Sequence, residues 1–283
     1  MRFELEIAPI DLDLTLGCGQ TFRWERGLDG SWSGVLQDQA IRLRQIEGLI
    51  QAEATPGRED VSESILEFLR SQDDIARIQS KLRKDRVLAP GIKRMQGLRI
   101  VKLDEWECLI SYVLATYANI PRIMKMVEAL AANYGDPITR MRRSFPNRSQ
   151  LSRAKAKDLA KLGLGYRAKY IEALCELFDD ESLSTLSRVP YENLRRELVE
   201  LPGVGNKVAD CVSLFGFGRL ESFPIDLWIE RALKRLYRQT GTYNHLRGFA
   251  ASRFGEYAGY AQEYLYHNER MRARNLGCAF SEE

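Results

Sequence analysis

A chain of 283 residues with 45% hydrophobic and 29% charged side chains has the composition of a globular protein with room for sizeable cores. It lacks an apolar run long enough to span a bilayer, and its first residues lack the apolar stretch of a secretory signal. Five scattered cysteines without a CxxC pair, and only two histidines, predict reduced thiols and no metal site. Membrane, disulfide-rich and zinc-finger classes are therefore excluded. We therefore expect an intracellular location.

Positive charge is concentrated in one part of the chain. The formal net charge is only +3, yet residues 120–170 contain twelve Lys or Arg against three Asp or Glu. Such clustering is typical of a surface that binds the phosphates of a nucleic acid. A solvated basic surface without a partner is the alternative that charge alone leaves open.

Residues 1–97 show the alternation of apolar and polar side chains that indicates strands. The predicted strands are 3–7, 21–24, 32–36 and 41–43, and the predicted helices are 61–70 and 75–84. The turn-rich piece 26–31 favours antiparallel pairing. We therefore predict an α+β fold in which an N-terminal domain, residues 1–97, holds an antiparallel sheet with helices.

From residue 98 the pattern becomes helical, so residues 98–283 are predicted to form an all-α body. The predicted helices here are 105–116, a helix ending near 134, 206–215, 227–237 and 250–268. Asp104 stands at the expected N-cap of the first of these helices. The body should contain a helix-hairpin-helix motif at about 195–216.

The hairpin of this motif is the Leu-Pro-Gly-Val-Gly sequence at 201–205. Proline fixes one turn residue, and Gly203 and Gly205 are expected to supply unusual backbone geometry around Val204. A glycine hairpin that leads into a helix presents unpaired amides, which suit a phosphate.

The helix after the hairpin carries a lysine on an apolar stripe. Helical spacing places Lys207 in line with Cys211 and with Leu214 or Phe215. A lysine shielded from water can act as a neutral amine nucleophile. Asp226 precedes the next predicted helix in an N-cap position. The plainer alternative is a DNA-binding module in which Lys207 contacts a phosphate and Asp226 only caps its helix.

These features resemble the helix-hairpin-helix base-excision DNA glycosylases, and Lys207 resembles the lysine of their bifunctional members. Residues 16–24, Leu-Gly-Cys-Gly-Gln-Thr-Phe-Arg-Trp, resemble the Gly-Gln-Ser-Phe-Arg-Trp motif of the 8-oxoguanine branch. Residues 162–170, Leu-Gly-Leu-Gly-Tyr-Arg-Ala-Lys-Tyr, resemble the next landmark of that branch. The ordered motifs cover most of the chain.

The resemblance implies a pocket for a flipped base. Its members would be Gly19, Cys211, Phe215, Gln262 and Tyr266. The Gly19 carbonyl would accept a hydrogen bond from N7–H of the oxidised base. Unmodified guanine offers only an acceptor at N7 and would be rejected.

The resemblance also implies contacts to the distorted duplex. Asn119 and Arg122 match residues that fill the gap and read the unpaired cytosine, although Tyr117 and Ala118 depart from the family's asparagine run. Tyr166 would wedge the stack and Arg167 would contact the cytosine, with core packing and a phosphate contact as their alternatives. Trp228, where the family often has histidine, is expected at the base pocket or the DNA backbone.

We therefore expect a bifunctional 8-oxoguanine DNA glycosylase and AP lyase. Lys207 would attack the sugar to give a Schiff base and then β-elimination, and Asp226 would stabilise developing positive charge. The expected partner is duplex DNA with 8-oxoguanine opposite cytosine, bound by a monomer without cofactor or metal. The expected location is the cytoplasm or nucleoid of a prokaryote, which is favoured, or the nucleus of a eukaryote. A glycosylase for another purine, or a non-catalytic DNA-binding module, are the alternatives.

Overall fold

The computed structural model describes residues 1–178 and 182–275. A five-stranded antiparallel sheet, in the order β1-β5-β4-β3-β2, forms the amino-terminal part. The strands are β1 (Arg2–Glu6), β2 (Glu25–Arg26), β3 (Trp32–Leu36), β4 (Gln39–Ile46) and β5 (Leu49–Thr55). Buried Ile41 and Leu43 alternate with exposed Arg42 in β4, so that one face of the sheet joins the core.

Helices form the rest of the described chain. They are α1 (Leu12–Leu16), α2 (Val61–Phe68), α3 (Ile75–Leu82), α4 (Ala89–Arg94), α5 (Glu105–Leu114), α6 (Ile120–Tyr134), α7 (Arg148–Leu151), α8 (Ala156–Leu159), α9 (Arg167–Leu177), α10 (Ser182–Thr185), α11 (Tyr191–Val199), α12 (Asn206–Phe215), α13 (Leu227–Ala232), α14 (Tyr243–Phe254) and α15 (Ala258–Asn275). The predicted α+β architecture is confirmed. One continuous cluster of buried side chains extends from the sheet into the helical body. Within the described ranges, no helix is long and apolar enough to cross a membrane.

Two predicted elements were wrong. Residues 21–24 form no strand, because Trp24 turns inward, lies over Gly34 of β3 and stacks on Phe68 with ring centroids 5.1 Å apart. The helix predicted at 250–268 is two helices, α14 and α15. Gly255 between them has a φ of +58°, a left-handed conformation that glycine adopts without strain.

Arg23 joins the sheet region to the helical body. Its side chain is buried, and its guanidinium lies 4.0 Å from Glu107 of α5 and 3.7 Å from Glu128 of α6. Burial raises the pKa of Glu107 to about 7, and the charge of Arg23 offsets only part of this effect. Glu107 therefore holds its proton in the folded chain at a pH where the unfolded chain has lost it.

We expect this proton to make stability depend on pH. The folded-state pKa of Glu107 is raised above its usual 4.5. The contribution of Glu107 to the free energy of unfolding is therefore most favourable below pH 4.5 and declines as the pH rises towards 7. Compared with Glu107→Gln, the wild type should lose up to about 1.4 kcal/mol of unfolding free energy per pH unit in this window. Urea unfolding of both proteins at pH 5, 6 and 7 measures the difference, with the exposed Glu230→Gln as control. Parallel pH profiles would contradict the prediction.

Candidate active site

One pocket brings together all seven residues that were predicted for catalysis and base binding. It lies where the 18–20 loop meets α5, α12, the segment before α13, and α15. The predicted residues in its lining are Gly19, Lys207, Cys211, Phe215, Asp226, Gln262 and Tyr266. Sequence positions more than 240 residues apart thus share one cavity.

The hairpin connects α11 to α12 as expected. Gly203 has a φ of +78°, and an added Cβ would lie 2.7 Å from the ring of Tyr170, so glycine is required there. Gly205 differs from the expectation. It has extended backbone (φ −89°, ψ −178°) as the N-cap of α12, and a Cβ there would meet nothing within 4 Å. Only the first glycine therefore supplies unusual geometry.

Lys207, Cys211 and Phe215 follow one face of α12 into the pocket, which confirms the predicted stripe. The Lys207 Nζ lies 5.2 Å from the ring centroid of Tyr112. The Tyr112 ring stacks on Phe215 at 5.5 Å with an interplanar angle of 7°, and its hydroxyl donates to the Gln20 carbonyl over 3.1 Å. These contacts give the amine an aromatic wall on one side.

Asp226 caps α13, as predicted. Its Oδ1 accepts a hydrogen bond from the Ile229 amide over 2.9 Å. Burial raises the pKa of Asp226, while the Ile229 amide and the charge of Lys207 act in the opposite direction. The hydrogen bond of the cap holds the Asp226 carboxyl group in the wall of the pocket that also contains Lys207. Asp226 can therefore cap α13 and also stabilise a positive charge in the pocket.

A buried carboxylate on α12 fixes the helices around the pocket. Asp210 is fully buried and accepts hydrogen bonds from Arg195 (3.0 Å) and Tyr191 (2.9 Å) of α11 and from Tyr243 (2.6 Å) of α14. The Tyr243 hydroxyl in turn accepts from the Ile225 amide over 3.3 Å. We call these residues the Asp210 clasp. It ties the hairpin helices to the segment that carries Asp226.

The side chain of Gln20 anchors the loop that contains Gly19. The buried Gln20 side chain donates to the Thr15 (3.1 Å) and Arg99 (2.9 Å) carbonyls and accepts from the Val101 amide (2.9 Å). Gly19 itself has a φ of +94°, and a Cβ there would lie 2.7 Å from Cδ1 of Ile120. The loop therefore packs against the start of α6, and a methyl group at Gly19 would first meet that helix.

The last helix supplies unsatisfied polar atoms to the pocket. Among the described residues, the buried Gln262 Oε1 and Glu263 Oε2 have no hydrogen-bond partner. Burial raises the pKa of Glu263 to about 8. Tyr266, one turn after Gln262, lies beneath the Arg270 guanidinium, 5.3 Å from its ring centroid. Unsatisfied buried groups of this kind are expected where a polar ligand binds.

Several predicted DNA contacts lie together on the surface beside the pocket. Asn119 caps α6 by accepting from the Arg122 amide over 3.0 Å, and Arg122 is exposed. Tyr117 is 92% exposed with a φ of +49°, and Tyr166 is 50% exposed. Two projecting aromatic rings next to a hairpin fit a surface that inserts into stacked bases.

Arg167 is placed differently from the expectation. Its side chain is only 1% exposed. The guanidinium donates to the Thr116 carbonyl over 3.0 Å and to the Tyr117 carbonyl over 3.1 Å. Contact with a cytosine or a phosphate would require the guanidinium to leave these carbonyls. In this conformation Arg167 instead holds the loop that presents Tyr117.

The structure also places residues in the pocket that sequence reasoning missed. These are Cys18, Gln20, Tyr112, Pro224 and Glu263. Cys18 and Gln20 stand inside the 16–24 motif, and Pro224 lies two residues before Asp226, so their positions gave a signal. Tyr112 and Glu263 belong to ordinary helical patterns and gave none. Trp228 is half-buried beside Arg231, with the guanidinium 5.4 Å from its ring centroid, and does not line the pocket.

Comparisons with known proteins agree with this geometry. Residues 2–109 match the N-terminal domain of 8-oxoguanine DNA glycosylase, and residues 110–249 match the HhH-GPD superfamily of base excision DNA repair proteins. The N-glycosylase/DNA lyase OGG1 of Arabidopsis thaliana is 30% identical over an alignment that covers 99% of this chain and 82% of the relative. The chain belongs to the OGG1-type N-glycosylase/DNA lyase family.

Solved structures place this family member near other 8-oxoguanine glycosylases. MBOgg1 in complex with a low-affinity DNA ligand superposes with a TM-score of 0.91 at 34% identity, covering 96% of both chains. The Clostridium acetobutylicum 8-oxoguanine glycosylase/lyase, bound to double-stranded DNA with cytosine opposite 8-oxoG, gives 0.89 at 25% identity, covering 96% of this chain and 98% of the other. The 3-methyladenine DNA glycosylase of Archaeoglobus fulgidus gives 0.79 at 20% identity over 96% of this chain and 99% of the other, a likeness of fold alone.

Proposed function

We propose that this chain is a bifunctional DNA glycosylase and AP lyase that excises 8-oxoguanine from duplex DNA as a monomer. The observation that carries this proposal is one pocket in which Lys207 and Asp226 face the Gly19 loop and the Gln262–Tyr266 turn of α15. The family membership of both halves of the chain supports it. A base inside a duplex cannot reach this pocket, so the enzyme has to flip it out of the stack.

Lys207 is the proposed nucleophile. Its amine forms a bond to C1′ of the deoxyribose as the bond from C1′ to the base breaks, and the base leaves with the bonding electrons and takes up a proton. Opening of the sugar ring then gives an imine. Removal of a C2′ proton breaks the C3′–O bond and cleaves the strand. Asp226, placed beside the amine by its cap, would stabilise the positive charge that develops at the sugar.

Recognition of the oxidised base would use the pocket walls. The Gly19 carbonyl is the proposed acceptor for N7–H, which unmodified guanine lacks. The buried Oε1 of Gln262, which has no hydrogen-bond partner among the described residues, would accept a hydrogen bond from the edge of the base. Tyr266 and Phe215 would pack against the faces of the base. A guanine with an acceptor at N7 would leave two acceptors facing each other, which is costly in a buried site.

The surface around the pocket is the proposed DNA-binding face. The amides at Gly203 and Gly205 would bind a backbone phosphate. The predicted contact at Val204 is not favoured, because its amide donates to the Leu201 carbonyl over 3.1 Å. Arg122 and other exposed cations of residues 120–170 add positive charge. Tyr117 and Tyr166 would fill the space left by the flipped base, and Asn119 and Arg122 would contact the cytosine opposite. Arg167 supports this contact by holding the Tyr117 loop.

Borohydride trapping tests the proposed function. Wild-type protein incubated with duplex DNA containing 8-oxoguanine opposite cytosine should form a covalent adduct when borohydride reduces the imine. A monofunctional glycosylase would release the base without an adduct, and a DNA-binding module would do neither. The same duplex with unmodified guanine serves as the control.

Gly19→Ala should reduce base excision far more than DNA binding. The methyl group would press on Ile120 and strain the positive φ, which moves the carbonyl away from N7–H. The expected loss is about 1–3 kcal/mol, or ~5- to 150-fold in single-turnover excision of 8-oxoguanine, the cost of one buried unmade hydrogen bond. Binding to undamaged duplex at matched salt should change little.

An abasic substrate separates base recognition from general distortion of the pocket. An abasic duplex has no base for Gly19 to contact. The Gly19→Ala variant should therefore cleave an abasic duplex as fast as the wild type does. Gly48→Ala, at an equally positive φ of +89° but with nothing within 4 Å, is the matched control for backbone strain. Equal loss on both substrates would show that Gly19 only shapes the loop.

A further inference from the structure

Cys18, Glu263 and His267 lie close together behind the Gly19 loop. One ligand atom from each, the thiol sulfur, a carboxylate oxygen and an imidazole nitrogen, lies within 4.8 Å of the others. Glu263 and His267 are four residues apart on α15, so they share one face of the helix, and Cys18 comes from the opposite wall. Neither Glu263 nor Cys18 has a part in the proposed chemistry.

We propose that Cys18, Glu263 and His267 bind a Zn²⁺ ion in the wall of the base pocket. A thiolate, an imidazole and one carboxylate are the donor types that zinc accepts, whereas Mg²⁺ and Ca²⁺ prefer oxygen ligands alone. Two ligand atoms on a common zinc lie roughly 3.5 Å apart, so the cluster needs an adjustment of about an ångström to close around the ion. Three protein ligands leave a fourth position open, as in zinc sites that exchange water.

A second observation concerns one buried oxygen of Glu263. Glu263 is 3% exposed, and in the described part of the chain its Oε2 accepts no hydrogen bond. Arg270 is the cation nearby, but its guanidinium donates to the Cys18 carbonyl over 2.9 Å and lies over the Tyr266 ring. A buried carboxyl oxygen without a hydrogen bond is costly, and a bound cation would satisfy it.

Charge and proton balance are consistent with a divalent ion. The Cys18 thiol donates to the Thr15 carbonyl over 3.3 Å. Zinc would replace this proton and the proton of the Glu263 carboxyl group, and both would be released to solvent. The resulting thiolate and the Glu263 carboxylate together neutralise Zn²⁺, and His267 remains uncharged. The scattered positions of the three residues explain why spacing in the sequence gives no zinc motif.

Metal titration tests the site without DNA. Protein stripped with EDTA should bind one equivalent of Zn²⁺ by equilibrium dialysis, and Co²⁺ used as a probe should show a thiolate charge-transfer band. Cys18→Ser and His267→Gln should each weaken binding at least ~10²-fold and Cys18→Ser should remove the band, since even loss of an outer-shell partner costs 10–100-fold. Circular dichroism confirms that each variant is folded.

Matched variants show whether binding is specific. Cys175→Ser removes another buried thiol and His245→Gln removes the other histidine, and both should bind zinc like the wild type. Glu263→Gln keeps the shape of the side chain and should bind more weakly. The absence of stoichiometric binding, or binding that survives Cys18→Ser, would overturn the proposal.

Zinc should also compete with the flipped base, and this consequence rests on the proposed function. Cys18 and Glu263 line the base pocket, so an ion between them and its open position would occupy space beside Gly19. One equivalent of Zn²⁺ should slow excision of 8-oxoguanine by wild-type protein but not by His267→Gln, which removes a ligand that does not line the pocket. Unchanged excision by zinc-loaded protein would disprove the competition. A zinc-free wild type without excision activity would instead contradict the proposed function, and the binding result would stand.

Discussion

Lys207→Gln should abolish both base release and borohydride trapping on duplex containing 8-oxoguanine. Glutamine keeps most of the side-chain length but has no amine to form the bond to C1′. The hairpin, the basic surface and the base pocket remain, so binding to the lesion should stay within about tenfold of the wild type, or ~1.4 kcal/mol. Single-turnover excision, gel trapping and a binding titration measure the three quantities.

Control variants make this result specific to the pocket. Lys84→Gln makes the same chemical change at an exposed position of the amino-terminal part and should keep full activity. An abasic duplex should not be cleaved by Lys207→Gln either, because the lyase step uses the same amine. An adduct formed by Lys207→Gln at the wild-type level would identify another amine as the nucleophile.

Asp226→Asn should reduce base excision at least ~10²-fold, the usual cost of losing one preorganised electrostatic group. Asparagine is itself a good N-cap, so the hydrogen bond from the Ile229 amide can persist and α13 should remain in place. The loss should therefore appear in the single-turnover rate rather than in the free energy of unfolding.

Asp104→Asn is the matched control for this change. Asp104 caps α5 in the same way, accepting from the Glu107 amide over 2.9 Å, but it lies outside the base pocket. It should show the small stability change of an Asp-to-Asn cap without loss of excision. Full excision activity in Asp226→Asn would falsify the charge role and leave Asp226 as a cap alone.

The sequence predicted the fold class and the chemistry-bearing helix because both depend on local patterns. Helical spacing put Lys207, Cys211 and Phe215 on one face of α12, and the hairpin glycines marked where that helix begins. Alternation placed β3 and β4 correctly. Residues 21–24 alternate in the same way but turn inward, because burial of Trp24 against Phe68 outweighs strand pairing.

The missed features depend on contacts between distant parts of the chain. Tyr112 stands in an apolar stretch of α5, and only packing against Phe215 places its ring beside Lys207. Arg167 matches a family landmark, yet the carbonyls at 116 and 117 take its donors, which depends on a loop fifty residues earlier. Local sequence cannot report which of several polar partners a long side chain will reach.

The Asp210 clasp gives the hairpin a further property. It locks α12 to both α11 and the Asp226 segment, and Lys207 follows the hairpin by only two residues, about 3 Å of helix rise. A phosphate gripped at the hairpin amides would then stand at a constant distance from the attacking amine. The first turn of α12 would thus fix the distance between the bound phosphate and the sugar that Lys207 attacks. That sugar would be selected by its distance from the phosphate as well as by the identity of its base.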